Sequence, residues 1–356
     1  MDIKFEHKIF QFKTPSGTSR GILTEKQAWF IQIMENGKIG LGECSVIPGL
    51  SPDYESIEQY EKLLSKLREL ASAINLTDFE GQKEYDLLTA IKEKTRIYSD
   101  FEKYPSLLFG FESAVLNWSA GKSELYFDTP FYQGEQKIPI NGLVWMGSPD
   151  FMKNQMADKV ELGFNCIKMK VGAINFESEI ELLSSIRNAH PKDKMILRVD
   201  ANGAFTKENV HERLTKLAQL DLHSIEQPIA PNQHESMADL CLENILPIAL
   251  DEELIGIHSK EDKIKLLDNI KPQYIILKPS LHGGILGSKE WIELAKERNI
   301  DWWMTSALES NLGLACIAQF TSKFPIDKHH GLGTGSLYLN NTESRLKVES
   351  GEILFK

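Results

Sequence analysis

Charged residues follow apolar, β-branched runs at a nearly constant interval through the second half of this chain. Lys168-Met169-Lys170, Asp200-Ala201-Asn202, Glu226-Gln227-Pro228 and Leu250-Asp251-Glu252 are followed by Lys278-Pro279-Ser280. The steps from Lys170 to Asp200, Glu226, Asp251 and Lys278 are 30, 26, 25 and 27 residues. One strand, one crossover helix and two loops need about that length of chain. Each charged residue therefore falls at the same point of a successive βα unit, the carboxyl end of its strand. A parallel barrel builds its sites at that end.

The expected fold class is α/β: a modified (β/α)8-type, TIM-like barrel with an N-terminal α+β capping domain. At 356 residues the chain is longer than one ordinary domain. Residues from about 3 to 12 and 21 to 34 alternate apolar and polar side chains and read as antiparallel strands. Pro15 to Gly21 reads as a turn-rich loop between them, and Val46 to Asp53 as a second loop. Helical periodicity holds from about 54 to 120, with a break at Tyr104-Pro105. Barrel strands are expected at 138–144, 166–171, 195–202, 224–227, 247–251, 274–278 and 302–306, with a short eighth at 331–333. The capping domain is expected over 1–125 and the barrel over 126–335, with the tail 336–356 completing the capping domain.

Composition excludes several classes of function. A net charge of −11 argues against a nucleic-acid partner, which requires a basic footprint. No apolar run approaches the roughly 18 residues of a membrane span, and Met1-Asp2-Ile3-Lys4-Phe5 lacks a signal-peptide pattern. Cys44, Cys166, Cys241 and Cys316 are scattered without a CxxC pair, which points to a reducing cytoplasm. A small-molecule carboxylate is the expected partner, and the sequence leaves the oligomeric state open.

Side chains at i and i+2 of a strand share a face. Lys168 and Lys170 therefore project together, as do Arg198, Asp200 and Asn202. Asp200, Glu226 and Asp251 come from three consecutive strands, whose neighbours lie about 4.8 Å apart. Three carboxylates that close call for a cation, and oxygen-only donors favour Mg²⁺ or Mn²⁺ over zinc. Any one of the acids alone would be read equally well as a solvated residue or a helix cap. Two ammonium heads about 7 Å apart repel by about 2.4 kcal/mol at an effective dielectric near 20. This like-charge repulsion predicts that one lysine is shifted down towards a general base. A base beside a divalent cation suits removal of a proton α to a carboxylate.

With these motifs in order, the chain resembles the enolase superfamily, in the subgroup that includes muconate lactonizing enzymes. Gly42-Glu43-Cys44 with Pro48-Gly49-Leu50-Ser51 resembles the family's capping-domain loop, and Phe109 to Ala114 its helix leading to the barrel. Thr305-Ser306-Ala307-Leu308-Glu309-Ser310-Asn311 is similar to the seventh-strand segment of the o-succinylbenzoate synthase family of menaquinone biosynthesis. Dipeptide epimerases of the subgroup carry an Asp-x-Asp pair near the eighth strand; here the region reads Gly331-Leu332-Gly333. The resemblance implies Mg²⁺ on Asp200, Glu226 and Asp251, and Lys170 as base and then acid in a syn dehydration. It also implies Lys278 over the opposite face, Lys168 tuning Lys170, Arg198 or Asn202 holding the site's hydrogen-bond network, and Arg198, Asn202, Ser306 and Ser310 touching the substrate or supporting the groups that do. N-acyl amino acid racemase or dipeptide epimerase activity is the alternative within the subgroup. A non-catalytic barrel that binds metal and ligand is the alternative of another class.

Overall fold

The computed structural model describes residues 1–18, 21–172 and 174–356. Three strands open the chain, β1 (Asp2–Thr18), β2 (Gly21–Glu35) and β3 (Lys38–Val46), forming an antiparallel sheet in the order β1-β2-β3. β1 runs further than the turn-forming residues after Phe12 suggest. Beyond a register shift after Gln11, Ser16, Gly17 and Thr18 pair with Leu23, Ile22 and Gly21. The Pro and Gly there mark an irregularity inside a strand rather than its end. Ser19 and Arg20 of the expected loop lie outside the described residues.

Helices α1 (Ile57–Ser72), α2 (Glu84–Lys94), α3 (Ile97–Phe101) and α4 (Pro105–Ala120) follow. Pro105 occupies the first turn of α4, where a missing N–H costs nothing, and this accounts for the break at Tyr104-Pro105. α4 is buried from Pro105 to Trp118, enclosed by the N-terminal sheet and the barrel. Its contact with β3 is backbone to backbone. A Cβ placed on Gly42 would lie 2.0 Å from the Gly110 carbonyl oxygen, and one on Gly40 would lie 2.1 Å from that of Ala114.

The barrel segment begins with β4 (Ile138–Pro139) and β5 (Gly142–Val144), then alternates helix and strand. In order come α5 (Pro149–Glu161), β6 (Cys166–Lys170), α6 (Phe176–Ala189), β7 (Ile196–Asp200), α7 (Val210–Ala218) and β8 (Ser224–Glu226). These are followed by α8 (His234–Glu243), β9 (Ile248–Leu250), α9 (Lys260–Ile270), β10 (Tyr274–Leu277), α10 (Gly284–Glu297), β11 (Asp301–Met304) and α11 (Asn311–Thr321). The parallel sheet runs β11-β10-β9-β8-β7-β6-β5, a curled array of sequential neighbours. The expected eighth strand is reduced to bridges from His330 to Ile140 and from Gly331 to Thr305, after which Gly333–Ser336 forms a 3-10 turn. Glycine-rich sequence without β-branched residues supports no longer ladder.

The tail divides its contacts. Leu337 and Leu339 hydrogen-bond to Lys13 and Gln11 of β1 at 2.8 Å each, and Tyr338 bridges Phe12. β12 (Leu346–Glu349) and β13 (Glu352–Phe355) then form a hairpin whose second strand pairs with β4. Among the described residues no helix is long and apolar enough to cross a membrane. All four cysteines are free and buried.

Because backbone atoms bound the β3–α4 contact, no rotamer change can admit a side chain there. Gly42→Ala is expected to destabilise the protein by at least about 2 kcal/mol, read as a lowered urea midpoint. A variant with an unchanged midpoint would show that the two elements separate freely.

Candidate active site

The sheet brings the spaced charges to one place. Lys170, Asp200 and Glu226 are the last residues of β6, β7 and β8, and they stand side by side in register. Asp251 and Lys278 follow directly on the ends of β9 and β10. Together with Lys168 they line a cavity of about 200 Å³ at the mouth of the barrel. The N-terminal unit forms part of the wall: Leu23, Ile47, Pro48 and Leu50 line it together with Trp145 and Leu308 of the barrel. Ile47 packs on Leu281 and Ala307, so this loop both fills the seam and faces the cavity.

Positive and negative charges interleave. Lys168 Nζ lies 3.0 Å from Asp200 Oδ2 and also donates to Glu226. Lys170 Nζ lies 3.1 Å from Asp200 Oδ2 and donates to the Asn202 side-chain oxygen. Lys278 Nζ donates to both oxygens of Asp251, at 2.6 Å to Oδ1. Burial alone would push the Lys168 ammonium down, but Asp200, Glu226 and Asp251 together hold its pKa above the ordinary value. Lys278 behaves alike: burial opposes, while Asp251 and Glu226 raise it. The lysine–lysine repulsion expected to lower one member of the Lys168–Lys170 pair is outweighed at Lys168 by the acids beside it. Among the acids, burial and then the charge of Asp200 drive Glu226 well up. Asp200 and Asp251 are held below the usual carboxylate range, the lysines beside them outweighing burial.

Among the described residues no three His, Cys, Asp or Glu side chains stand as a ready cage for a metal ion. The donor set nevertheless fits a hard divalent cation. Glu226 Oε1 is buried without a hydrogen-bond partner among the described residues, and every candidate ligand atom is a carboxylate oxygen. Lys168 bridges Asp200 and Glu226, two of the three carboxylates that would hold such an ion.

The other residues singled out in the sequence separate. Asn202 and Ser306 line the cavity; Asn202 donates to Glu252 at 2.9 Å, and the Ser306 hydroxyl lies 2.6 Å from that of Thr334. Arg198 does not line it. Its guanidinium stacks 4.0 Å from the centre of the Trp303 ring and donates to the His329 carbonyl at 2.9 Å, filling the barrel interior. Ser310 is also off the cavity: it caps α11 and gives its hydroxyl to Glu43 at 2.6 Å.

Two orienting residues were not singled out. Gln227 holds an unusual positive φ of 39°. Its side-chain oxygen accepts from the backbone N–H groups of Asp251 and Glu253, and its nitrogen reaches Glu253 at 3.0 Å. It thereby ties the end of β8 to the end of β9, and with it Glu226 to Asp251. His282 accepts the Lys278 backbone N–H at 2.9 Å through Nδ1. The only sequence signal for either was its closeness to a charged station.

Residues 152–355 match the family model described as enolase C-terminal domain-like. The chain is 44% identical to the o-succinylbenzoate synthase of Desulfotalea psychrophila, over 99% of this chain and 98% of that one. The crystal structure of MenC from the same organism superposes with a TM-score of 0.89 at 42% identity, covering 99% of both chains. The D-Ala-D/L-Ala epimerase of Cytophaga hutchinsonii is 27% identical over 86% of this chain and 79% of that one. With acids and lysines at the ends of successive barrel strands and a full-length match at this identity, the chain belongs to the enolase superfamily, in the o-succinylbenzoate synthase family.

Proposed function

We propose that the protein is an o-succinylbenzoate synthase. It removes water from 2-succinyl-6-hydroxy-2,4-cyclohexadiene-1-carboxylate to give o-succinylbenzoate in menaquinone biosynthesis. The observation that carries this reading is the 44% identity, across nearly the whole chain, to a protein of that activity. The four buried, unpaired cysteines accord with a cytoplasmic enzyme.

Asp200, Glu226 and Asp251 would hold Mg²⁺, or Mn²⁺ in its place. A bound divalent cation supplies positive charge to the substrate carboxylate as the adjacent carbon loses its proton. Lys170 Nζ, placed by Asp200 and Asn202, takes that proton. The electron pair of the broken C–H bond then forms the new ring double bond as the C–O bond breaks. Lys170 returns the proton to the departing hydroxyl on the same face, and water leaves. The ring becomes aromatic, so elimination is strongly downhill and the site needs positioning more than a second acid. Lys278 enters from the opposite side, and its raised pKa suits an ammonium that stabilises the enolate. Lys168 ties Asp200 to Glu226 and sets the charge beside Lys170. The apolar rim formed by Ile47, Leu50 and Leu308 limits water at the reacting carbon.

Chelation is expected to abolish dehydration and Mg²⁺ or Mn²⁺ to restore it. Glu226→Gln should lower kcat by roughly 10³-fold with the circular-dichroism spectrum unchanged. Full turnover after exhaustive chelation would remove the metal from the scheme.

The two lysines should separate in their effects. Lys170→Ala is expected to lose both turnover and exchange of the substrate α-proton with deuterated solvent, by roughly 10²- to 10⁴-fold. Lys278→Ala should lose turnover while still binding substrate, as followed by calorimetry. Wild-type exchange in Lys170→Ala would identify a different base.

No acid stands at Gly331 or Gly333, where an epimerase would hold a substrate ammonium. Dehydration is therefore expected to exceed epimerisation of any dipeptide by at least an order of magnitude in kcat/KM. The reverse ranking would place the protein among the epimerases of the same superfamily.

A further inference from the structure

Two glutamates of the N-terminal unit are fully buried in its seam with the barrel, and each ends on the first turn of a barrel helix. Glu112 of α4 accepts from the Ile285 N–H, from the Leu286 N–H at 3.4 Å and from the Tyr98 hydroxyl at 2.9 Å. Glu43 of β3 accepts from the N–H groups of Ser310 and Gly313, both at 2.9 Å, and from the Ser310 hydroxyl. The first N–H groups of a helix have no partner within it and carry partial positive charge. At α10 the capping position is Gly283, which has no side chain to offer, so Glu112 supplies the cap from another part of the fold. The approach is close enough to require glycine: a Cβ on Gly284 would lie 2.2 Å from Glu112 Oε2.

What these helices carry gives the contacts a consequence. α10 begins six residues after Lys278, and the turn between them has no slack. Leu281 N–H bonds to the Lys278 carbonyl at 2.8 Å, Gly284 N–H to that of Pro279 at 2.9 Å, and Lys278 N–H to His282 at 2.9 Å. α11 begins just after Ser306 and Leu308, which line the cavity. Ser280 donates to Glu309, binding the two loops to each other.

We propose that Glu112 is a positioning residue for Lys278. Through the first turn of α10 it fixes where the ammonium enters the cavity, so seating of the N-terminal unit and placement of Lys278 are one event. Glu43 holds the Ser306–Leu308 wall in the same way. The proposal rests on the reading of Lys278 as a working lysine of the dehydration site.

The test compares kcat, KM and Tm of the full-length enzyme with those of Glu112→Ala, Glu112→Gln, Glu43→Ala and Lys278→Ala. Glu112→Ala should lower kcat by roughly 10- to 100-fold with KM within about threefold. Burial pushes the Glu112 pKa up to about 8, so at neutral pH the side chain is largely the neutral acid. Glutamine keeps a carbonyl acceptor for the Ile285 N–H, and Glu112→Gln should stay within about threefold of the parent kcat. Glu43→Ala should raise KM more than it lowers kcat. A folded Glu112→Ala with parental kcat, or equal losses in the Ala and Gln variants, would overturn the proposal. Should Glu112→Ala fail to fold, Tyr98→Phe removes one donor to the same carboxyl. It should lower kcat about threefold at constant KM, and parental kcat there would also overturn the link. Full kcat in Lys278→Ala would instead overturn the reading of Lys278 itself.

Discussion

Three buried carboxylates cannot share the mouth of a barrel without positive charge among them. At about 5 Å and an effective dielectric near 20, each neighbouring pair of acids repels by about 3 kcal/mol. Here the compensation is built in, with a lysine at each acid: Lys168 between Asp200 and Glu226, Lys170 on Asp200, and Lys278 on Asp251. The same carboxylates serve as lysine partners and as candidate cation donors. The charge state of the lysines thus depends on how the charge of the acids is otherwise compensated.

That balance also explains an expectation which the structure reversed. Lysine–lysine repulsion at about 7 Å is worth about 2.4 kcal/mol, whereas one attraction at about 3 Å is worth about 5.5 kcal/mol at the same dielectric. The near acids outweigh the farther ammonium, and Lys168 moves up instead of down. Sequence spacing reveals that charges share an end of the sheet, but the sign of the result depends on distances of a few ångströms. Those distances are set by side-chain rotamers.

The phase of the charged stations was legible because strand ends recur with the βα period, and Lys170, Asp200 and Glu226 fall in one register row. Arg198 shares the inward face of β7 with Asp200, yet it sits two residues deeper and meets Trp303 in place of the cavity. Alternation gives the face and not the depth. Ser310 belongs to a motif that borders the cavity, but its hydroxyl answers a residue 267 positions away. Glu43 and Glu112 were invisible as seam contacts for the same reason. A lone glutamate carries no local pattern, and the partner of Glu112 lies 173 positions away. The departures from the expected strands run in opposite directions: in β1 proline and glycine bend the strand without ending its pairing, whereas the glycines after His330 leave only bridges where an eighth strand was expected.

The pairing of β4 with β13 also bears on how the molecule comes into being. Lys137 and Glu352, which flank that pairing, are 215 residues apart in the chain. At synthesis rates of about 5 to 20 residues per second, β4 emerges from the ribosome roughly 10 to 40 s before its partner. Throughout that interval the edge on which the hairpin will close is open, with βα units stacking beyond it. An open strand edge is a template for pairing with other chains. The barrel's first edge is thus closed by the last residues of the chain to be made.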